Sequence, residues 1–207
     1  MTENNVLAID CDGVKLDYNA TYPRVWRAAF GSDLPRVRDN CYHASNEYGV
    51  AFRDQAQKEQ FFDAFDDRFW STMEPLEGAV EGAKLLSAAS WRIVCVSSMP
   101  KKYAGARHQN LQKLGFPVER VIATGRGDDH RNPKLDAIAD LQPAAFVDDL
   151  LENFDGISER VHRAWVDYQN VDSPNRGLEG KYPHDSVHRS LFEFAAWWTQ
   201  HRRLPAF

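Results

Sequence analysis

Val6-Leu-Ala-Ile-Asp10-Cys-Asp12-Gly13-Val14 is the stretch on which the fold turns. Four apolar residues give way at once to two aspartates spaced two apart and a glycine. So short a run, apolar on both faces, reads as a parallel strand covered on both sides. Residues two apart on an extended chain share a face, so both carboxylates leave the strand end together. Gly13 lets the chain turn directly after them. Similar runs occur at residues 93–96, 121–123 and 144–147, with a fifth at 163–166. Helix-like segments at 101–114, 133–141 and 150–159 lie around the later strands, and Pro133 suits a first helical turn. This alternation predicts an α/β fold with a doubly wound, mainly parallel, Rossmann-like sheet.

The stretch from 14 to 90 contains no convincing strand. Residues 51–70 carry Phe52, Ala56, Phe61, Phe62, Phe65 and Phe69 at mostly helical spacings. Residues 21–30 read as another helix, with Pro23 near its start, and 79–89 as the helix leading back to the second strand. A crossover needs only a dozen or more residues, so roughly 50–60 are surplus. The expected organisation is an α/β core of residues 1–14 and 81–207 with a small helical domain, residues 15–80, inserted into it. Near the C-terminus, 170–185 reads as a loop rich in Pro, Gly and Asn. Val187, Leu191, Phe194 and Trp198 then form a helical stripe that docks on the core or forms a dimer face.

Composition narrows the class. The 207 residues include 25 Lys and Arg against 30 Asp and Glu, a formal net charge of −5. At 43% hydrophobic and 27% charged residues, the chain is too apolar for a disordered one. It also lacks the broad basic footprint that a nucleic-acid partner needs. Cys11, Cys41 and Cys95 are too few and scattered for a disulfide framework or a zinc site, and an odd count suits a reducing compartment. Residues 1–5 have no basic region, and the first apolar run stops at Asp10, so no signal peptide fits. No run approaches the roughly 20 apolar residues of a membrane helix. A soluble, cytoplasmic protein is expected, with no membrane partner; the sequence leaves the oligomeric state open.

The strand ends carry the chemistry. The first ends in Asp10 and Asp12, the second in Ser97 and Ser98, and the fourth in Asp148 and Asp149, while Lys134 begins a helix just before the last of these. Ligands of open α/β sheets bind beyond the carboxyl ends of the strands. Four carboxylates on one rim repel one another and need an offset. A hard divalent cation supplies one, and Mg²⁺ commonly sits between carboxylates and a substrate phosphate. The hydroxyls and the ammonium then suit phosphoryl oxygens.

These four motifs, in this order, resemble those of the haloacid dehalogenase-like (HAD) hydrolases. Residues 7–14 resemble the first motif, Val94-Cys-Val-Ser97 the second, Asn132-Pro-Lys134 the third and Phe146-Val-Asp148-Asp149 the fourth. The gap of 87 positions between Asp10 and Ser97 resembles members with a helical, C1-type cap, and Glu74-Pro-Leu-Glu-Gly78 resembles the hinge where such caps rejoin the core. The likeness spans roughly residues 6–168. It implies a Mg²⁺-dependent phosphatase acting on a small phosphorylated metabolite. Asp10 would be the nucleophile that becomes an aspartyl phosphate, and Asp12 the acid that protonates the leaving oxygen and then activates water. Ser97 would bind phosphoryl oxygens, with Ser98 and Gly13 beside the substrate. Lys134 would neutralise those oxygens and hold Asp10. The metal would take the Asp10 side chain, the Asp12 carbonyl and a fourth-motif aspartate. Asp149 aligns better with that ligand, and Asp148 is the candidate behind it. Two positions depart from the family pattern: Asn153 stands where many relatives are acidic, and Lys15 where they are usually apolar.

Other readings compete. A phosphomutase would use the same core residues. Halide-cleaving relatives lack the second aspartate, present here as Asp12. Phosphonate-cleaving relatives need a cap lysine, for which Lys58 is the one well-placed candidate. A phosphoreceiver domain would place its lysine after, not before, the acidic pair. A non-catalytic binding protein would not need the full reactive set. Taken singly, Asp-Gly after a strand is a turn, Ser97-Ser98 a helix cap and Lys134 a surface lysine. Asp128-Asp129-His130, beside Gly125 and Gly127, reads as a polar loop. His184 and His188 have no third partner for zinc. Cys11 reads as a small buried side chain. Arg24, Arg27, Arg36 and Arg38 read as a solvated face, with a substrate-facing group as the sharper alternative.

Overall fold

The opening apolar run forms β1 (Val6–Ile9), an interior strand of a six-stranded parallel sheet. The computed structural model describes residues 5–125 and 131–202, so Gly127 and Asp128-Asp129-His130 lie outside the described residues. After β1 come β2 (Leu16–Asp17), α1 (Tyr18–Phe30), α2 (Ala44–Glu47), α3 (Gln55–Asp63), α4 (Asp67–Trp70) and β3 (Glu74–Pro75). The chain then alternates through α5 (Ala79–Ala88), β4 (Arg92–Ser97), α6 (Ala104–Lys113), β5 (Val118–Ala123), α7 (Leu135–Leu141) and β6 (Ala145–Asp148). It ends with β7 (His162–Val166), β8 (Ser186–His188) and α8 (Leu191–His201).

The strand order is β5-β4-β1-β6-β7-β8. Alternate residues along each strand face opposite layers. Leu7, Ile9, Ile93, Cys95, Val147 and Val166 pack with Ala83 and Leu86 of α5, Leu111 of α6, and Phe194 and Trp198 of α8. On the other face, Ala8, Val94, Val96, Phe146 and Trp165 meet Ile138 of α7 with Leu151 and Phe154. Register sets the height of the rim: Ile9 lies opposite Cys95 on one side and Val147 on the other, so three strands end at one level.

The segment from α1 to α4 is built on aromatic contacts. Phe61 meets Tyr22 edge-on at 5.0 Å, and Phe65 and Phe69 lie 4.4 Å apart between ring centres. Aspartates start α1, α3 and α4: Asp17, Asp54 and Asp66 accept hydrogen bonds from the backbone N–H three residues on. The aromatics continue the apolar layer of α5, α6 and α8.

Several expectations need correction. The helix expected over 150–159 is a single 3-10 turn, Leu151–Phe154. The apolar pattern there is carried by Leu151 and Phe154, three apart, which one tight turn satisfies. The helix expected over 51–70 is broken into α3 and α4, because Asp66 starts a new cap. Pro133 precedes α7 rather than lying in its first turn. Val187 belongs to β8 and is 49% exposed, so the docking stripe begins at Leu191. The strand pair β2 and β3 falls within a stretch that offers no strand signal; it pairs antiparallel through Leu16–Pro75 and Asp17–Glu74. Among the described residues, no helix is long and apolar enough to cross a membrane.

Gly82 marks where α5 presses on α8. A Cβ there would lie 2.8 Å from the Phe192 Cα and 3.0 Å from the Leu191 carbonyl oxygen. Backbone cannot yield as a side-chain tip does. Gly82→Ala is therefore expected to destabilise the fold by about 1–2 kcal/mol despite alanine's better helix propensity. An unchanged or raised urea midpoint would contradict this packing.

Candidate active site

The turn after β1 is fixed from beneath. Gly13 adopts φ +80°, a conformation in which side chains are strained, and a Cβ there would collide with the Asp149 carboxylate. The N–H groups of Lys15 and Leu16 both reach the Cys11 carbonyl, at 2.8 and 2.9 Å. Lys15 is fully buried, and its Nζ donates to the carbonyls of Ile9 and Asp10, both at 2.7 Å. The departure at position 15 thus places an ammonium under the loop that presents Asp10. Cys11 is fully buried, and all three cysteines are free thiols.

Above the sheet rim, Asp10, Asp148 and Asp149 bring one carboxylate oxygen each within 4.8 Å of one another. Lys134, just ahead of α7, places its Nζ 2.8 Å from Asp10 Oδ1 and 2.6 Å from Asp148 Oδ2. Asp148 Oδ1 accepts from the Leu150 N–H and from Asn153 Nδ2, each at 2.9 Å. Both Asp148 oxygens are therefore engaged within the protein. Burial pushes the Asp148 carboxyl up to about 6; Lys134 opposes that rise and Asp10 adds to it. Asp149 is held well above the usual carboxylate range by burial and by Asp148 and Asp10. Burial works against the Lys134 charge, but the two carboxylates outweigh it and the ammonium is held more firmly than usual.

Asp10, Asp12, Ser97, Ser98, Lys134 and Asp149 all line one cavity of about 740 Å³. Gly13 lines an adjoining cavity of about 410 Å³, which also touches Asp12 and Asp149. Asp148 lies behind this wall, with none of its surface exposed. Of Arg24, Arg27, Arg36 and Arg38, Arg36 reaches the smaller cavity, paired with the buried Glu47 at 2.9 Å. Arg27 pairs with Asp33, and Arg24 bonds the Thr72 carbonyl at 2.5 Å. Lys58 is exposed on α3 and lines neither cavity. His184 and His188 bond Tyr182 and Ser186, with no metal cluster around them among the described residues.

Two residues whose side chains reach the site's aspartates, Asp12 and Asp149, belong to none of the four motifs, and sequence reasoning misses both. Arg107 of α6 is fully buried, with NH2 2.8 Å from Asp12 Oδ1. A signal for it exists: Tyr103, Arg107, Leu111 and Leu114 share one helical stripe, and a charge in such a stripe needs a buried partner. Tyr42, between α1 and α2, shares both cavity walls with Asp149, and burial with the nearby carboxylates raises its phenol well above the ordinary range. The Asp172 carboxylate pins Tyr42's loop to the core, accepting from the N–H groups of Tyr42 and His43 and from Asn46 Nδ2. No local pattern announces a pairing across 130 residues.

No protein-family model matches the chain, and no curated protein matches it in sequence. Solved structures do. A haloacid dehalogenase-like family protein of Streptococcus pneumoniae aligns with a TM-score of 0.63 at 13% identity, covering 96% of this chain and 100% of that one. A HAD-family hydrolase of Deinococcus radiodurans with bound phosphate and sodium gives 0.60 at 14%, over 97% of both chains. Protein Tyrosine Kinase A of Mycobacterium tuberculosis gives 0.63 at 17%, over 95% of this chain and 99% of that one. The chain has the haloacid dehalogenase-like fold.

Lys134 offsets two buried carboxylates, and its removal leaves them facing each other. Lys134→Met is expected to cost on the order of 3–5 kcal/mol at neutral pH without divalent cations. Lys134→Met combined with Asp148→Asn should be less destabilised than Lys134→Met alone. Urea unfolding of the wild type, the two single variants and the double variant checks this, and simple additivity of the two losses would refute the shared clamp.

Proposed function

We propose that this chain is a Mg²⁺-dependent phosphatase that hydrolyses a small phosphorylated metabolite through an aspartyl phosphate on Asp10. The observation that carries the reading is the Lys134 ammonium, held between Asp10 and Asp148 at 2.8 and 2.6 Å on the wall of a cavity that also presents Asp12 and Ser97. The HAD-like fold supports it. In this reading, residues 15–80 form a cap over a core of residues 1–14 and 81–207, and the free thiols suit the cytoplasm.

The residues present fit a divalent cation. Three buried carboxylates converge against one ammonium, and burial with the neighbouring Asp148 and Asp10 holds Asp149 above its ordinary range despite Lys134. Asp10, Asp149 and the Asp12 carbonyl would hold the ion, with Asp148 behind them orienting Lys134. Bound there, Mg²⁺ would neutralise charge on the phosphoryl oxygens as a hard Lewis acid.

The side chains divide the work. An Asp10 oxygen attacks phosphorus while Asp12 gives its proton to the departing ester oxygen, so the P–O bond to the leaving group breaks as the aspartyl phosphate forms. Ser97 hydrogen-bonds the phosphoryl oxygens, and Lys134 offsets their charge. Asp12, now ionised, takes a proton from water as water attacks phosphorus, which frees Asp10. Two easier displacements replace one difficult one. Lys58, exposed and away from both cavities, offers the phosphonate alternative no support. A phosphomutase would return the phosphoryl group to its substrate, so sustained release of inorganic phosphate separates the two.

Substrate turnover, metal removal and two substitutions test the reading. A panel of phosphorylated metabolites with Mg²⁺ should release phosphate from at least one, and excess EDTA should abolish that release; full turnover in EDTA would overturn the metal assignment. Asp10→Asn should remove turnover altogether, since an amide forms no acyl phosphate. Asp12→Asn should lose about 10²–10⁴-fold yet still give a burst with an activated aryl phosphate. Mass spectrometry of the quenched Asp12→Asn protein should place the adduct on Asp10; an adduct on Asp148 or Asp149 would overturn the roles.

A further inference from the structure

Arg107 is a buried cation to which the two displacements assign no part. It lies on α6, with none of its surface exposed. NH2 is 2.8 Å from Asp12 Oδ1, NH1 is 2.9 Å from the Met73 sulfur, and the guanidinium carbon lies 5.0 Å from the Trp70 ring centre. Its Nε and NH2 are buried with no hydrogen-bond partner among the described residues, so NH2 meets Asp12 Oδ1 as an ion pair. A leucine in this stripe would avoid that cost. The link between α6 and the return segment does not need the arginine either. Asn110, one turn further along α6, already clasps both backbone groups of Met73, accepting from its N–H at 2.9 Å and donating to its carbonyl at 3.0 Å.

We infer that Arg107 is a positioning residue for Asp12, fixing the carboxyl group so that it faces the ester oxygen it protonates. The inference rests on the phosphatase reading, which gives Asp12 its acid–base role. Asp12 Oδ1 is buried, yet 24% of the side chain remains exposed, at the wall of the larger cavity. The guanidinium therefore holds the inner oxygen and leaves the outer edge of the carboxyl toward the substrate. In the first step, the Asp12 proton passes to the leaving oxygen as its bond to phosphorus breaks, and the negative charge left on Asp12 forms beside Arg107. In the second step, the carboxylate recovers a proton from water in the same orientation. Trp70 and Met73 end the α1–α4 segment just before β3. Through them, the orientation of Asp12 is set by the point where that segment returns to the sheet.

The role predicts a dependence on the leaving group that a merely structural arginine would not give. Rates should be measured for 4-nitrophenyl, phenyl and 4-methoxyphenyl phosphates, which share a shape but differ in their need for a proton. In Arg107→Met, kcat/KM for 4-methoxyphenyl phosphate should fall about 10–100-fold more than for 4-nitrophenyl phosphate, a fraction of what general acid catalysis supplies. Arg107→Lys keeps the charge but not the planar fork and should fall between wild type and Arg107→Met. Equal fractional loss on all three esters, or no loss, overturns the inference. Should Arg107→Met fail to fold, Arg107→Lys decides alone: a steeper dependence than wild type supports the inference, and a parallel one overturns it. Absence of phosphate release by the wild type from every ester and from the metabolite panel would be a failure of the phosphatase reading itself, and the inference falls with it.

Discussion

The site depends on one ammonium group shared by two buried carboxylates. Removing three charges from water is expensive, and the arrangement is tolerable only where each charge finds several partners. Lys134 finds Asp10 and Asp148, and Asp148 finds in addition the Leu150 N–H and Asn153. That requires β1 and β6 to be neighbours ending at the same level, which the pairing of Ile9 with Val147 provides. It also requires α7 to begin where the lysine can reach both. Sheet order, register and helix start are thus tied together by the need to satisfy a single side chain.

A second set of contacts brings the helical segment to the same rim. Arg107 reaches Asp12 from α6 while resting on Trp70 and Met73, and Tyr42 reaches Asp149 from a loop that Asp172 holds against the core. The four aspartates are therefore approached from both sides, by residues of the sheet helices and by residues of the segment between β2 and β3. The smaller cavity, with Arg36 and Tyr42 on its wall, lies between these two parts.

The sheet is legible in the sequence because its strands are short apolar runs buried on both faces, and each ends in the residue type that the rim needs. Asp10, Ser97 and Asp148 can be placed from strand ends alone, and Lys134 from the start of a helix. β8 cannot, since three residues of mixed polarity beside a Pro- and Gly-rich stretch carry no period. The β2–β3 pair is equally silent, as its two-residue strands are defined only by their mutual hydrogen bonds. Arg107 and Tyr42 depend on tertiary contacts, although the charge within the apolar stripe of α6 is a readable irregularity. Lys15 stands out as a departure from the family pattern, but nothing local says that a lysine will turn inward to two carbonyls.

The buried lysine under the loop alters the charge arithmetic of the whole rim. Counted by formal charge, with every carboxyl ionised, Asp10, Asp12, Asp148 and Asp149 face Lys15, Arg107 and Lys134, which leaves one net negative charge around a largely buried rim. A phosphate dianion arriving first would meet repulsion that bulk solvent screens poorly. A divalent cation arriving first reverses the sign and turns the same cavity into an attractive one. On the proposed reading, the number of buried cations this chain supplies favours cation before ester. One more would leave the empty site neutral, and one fewer would leave the loaded site neutral.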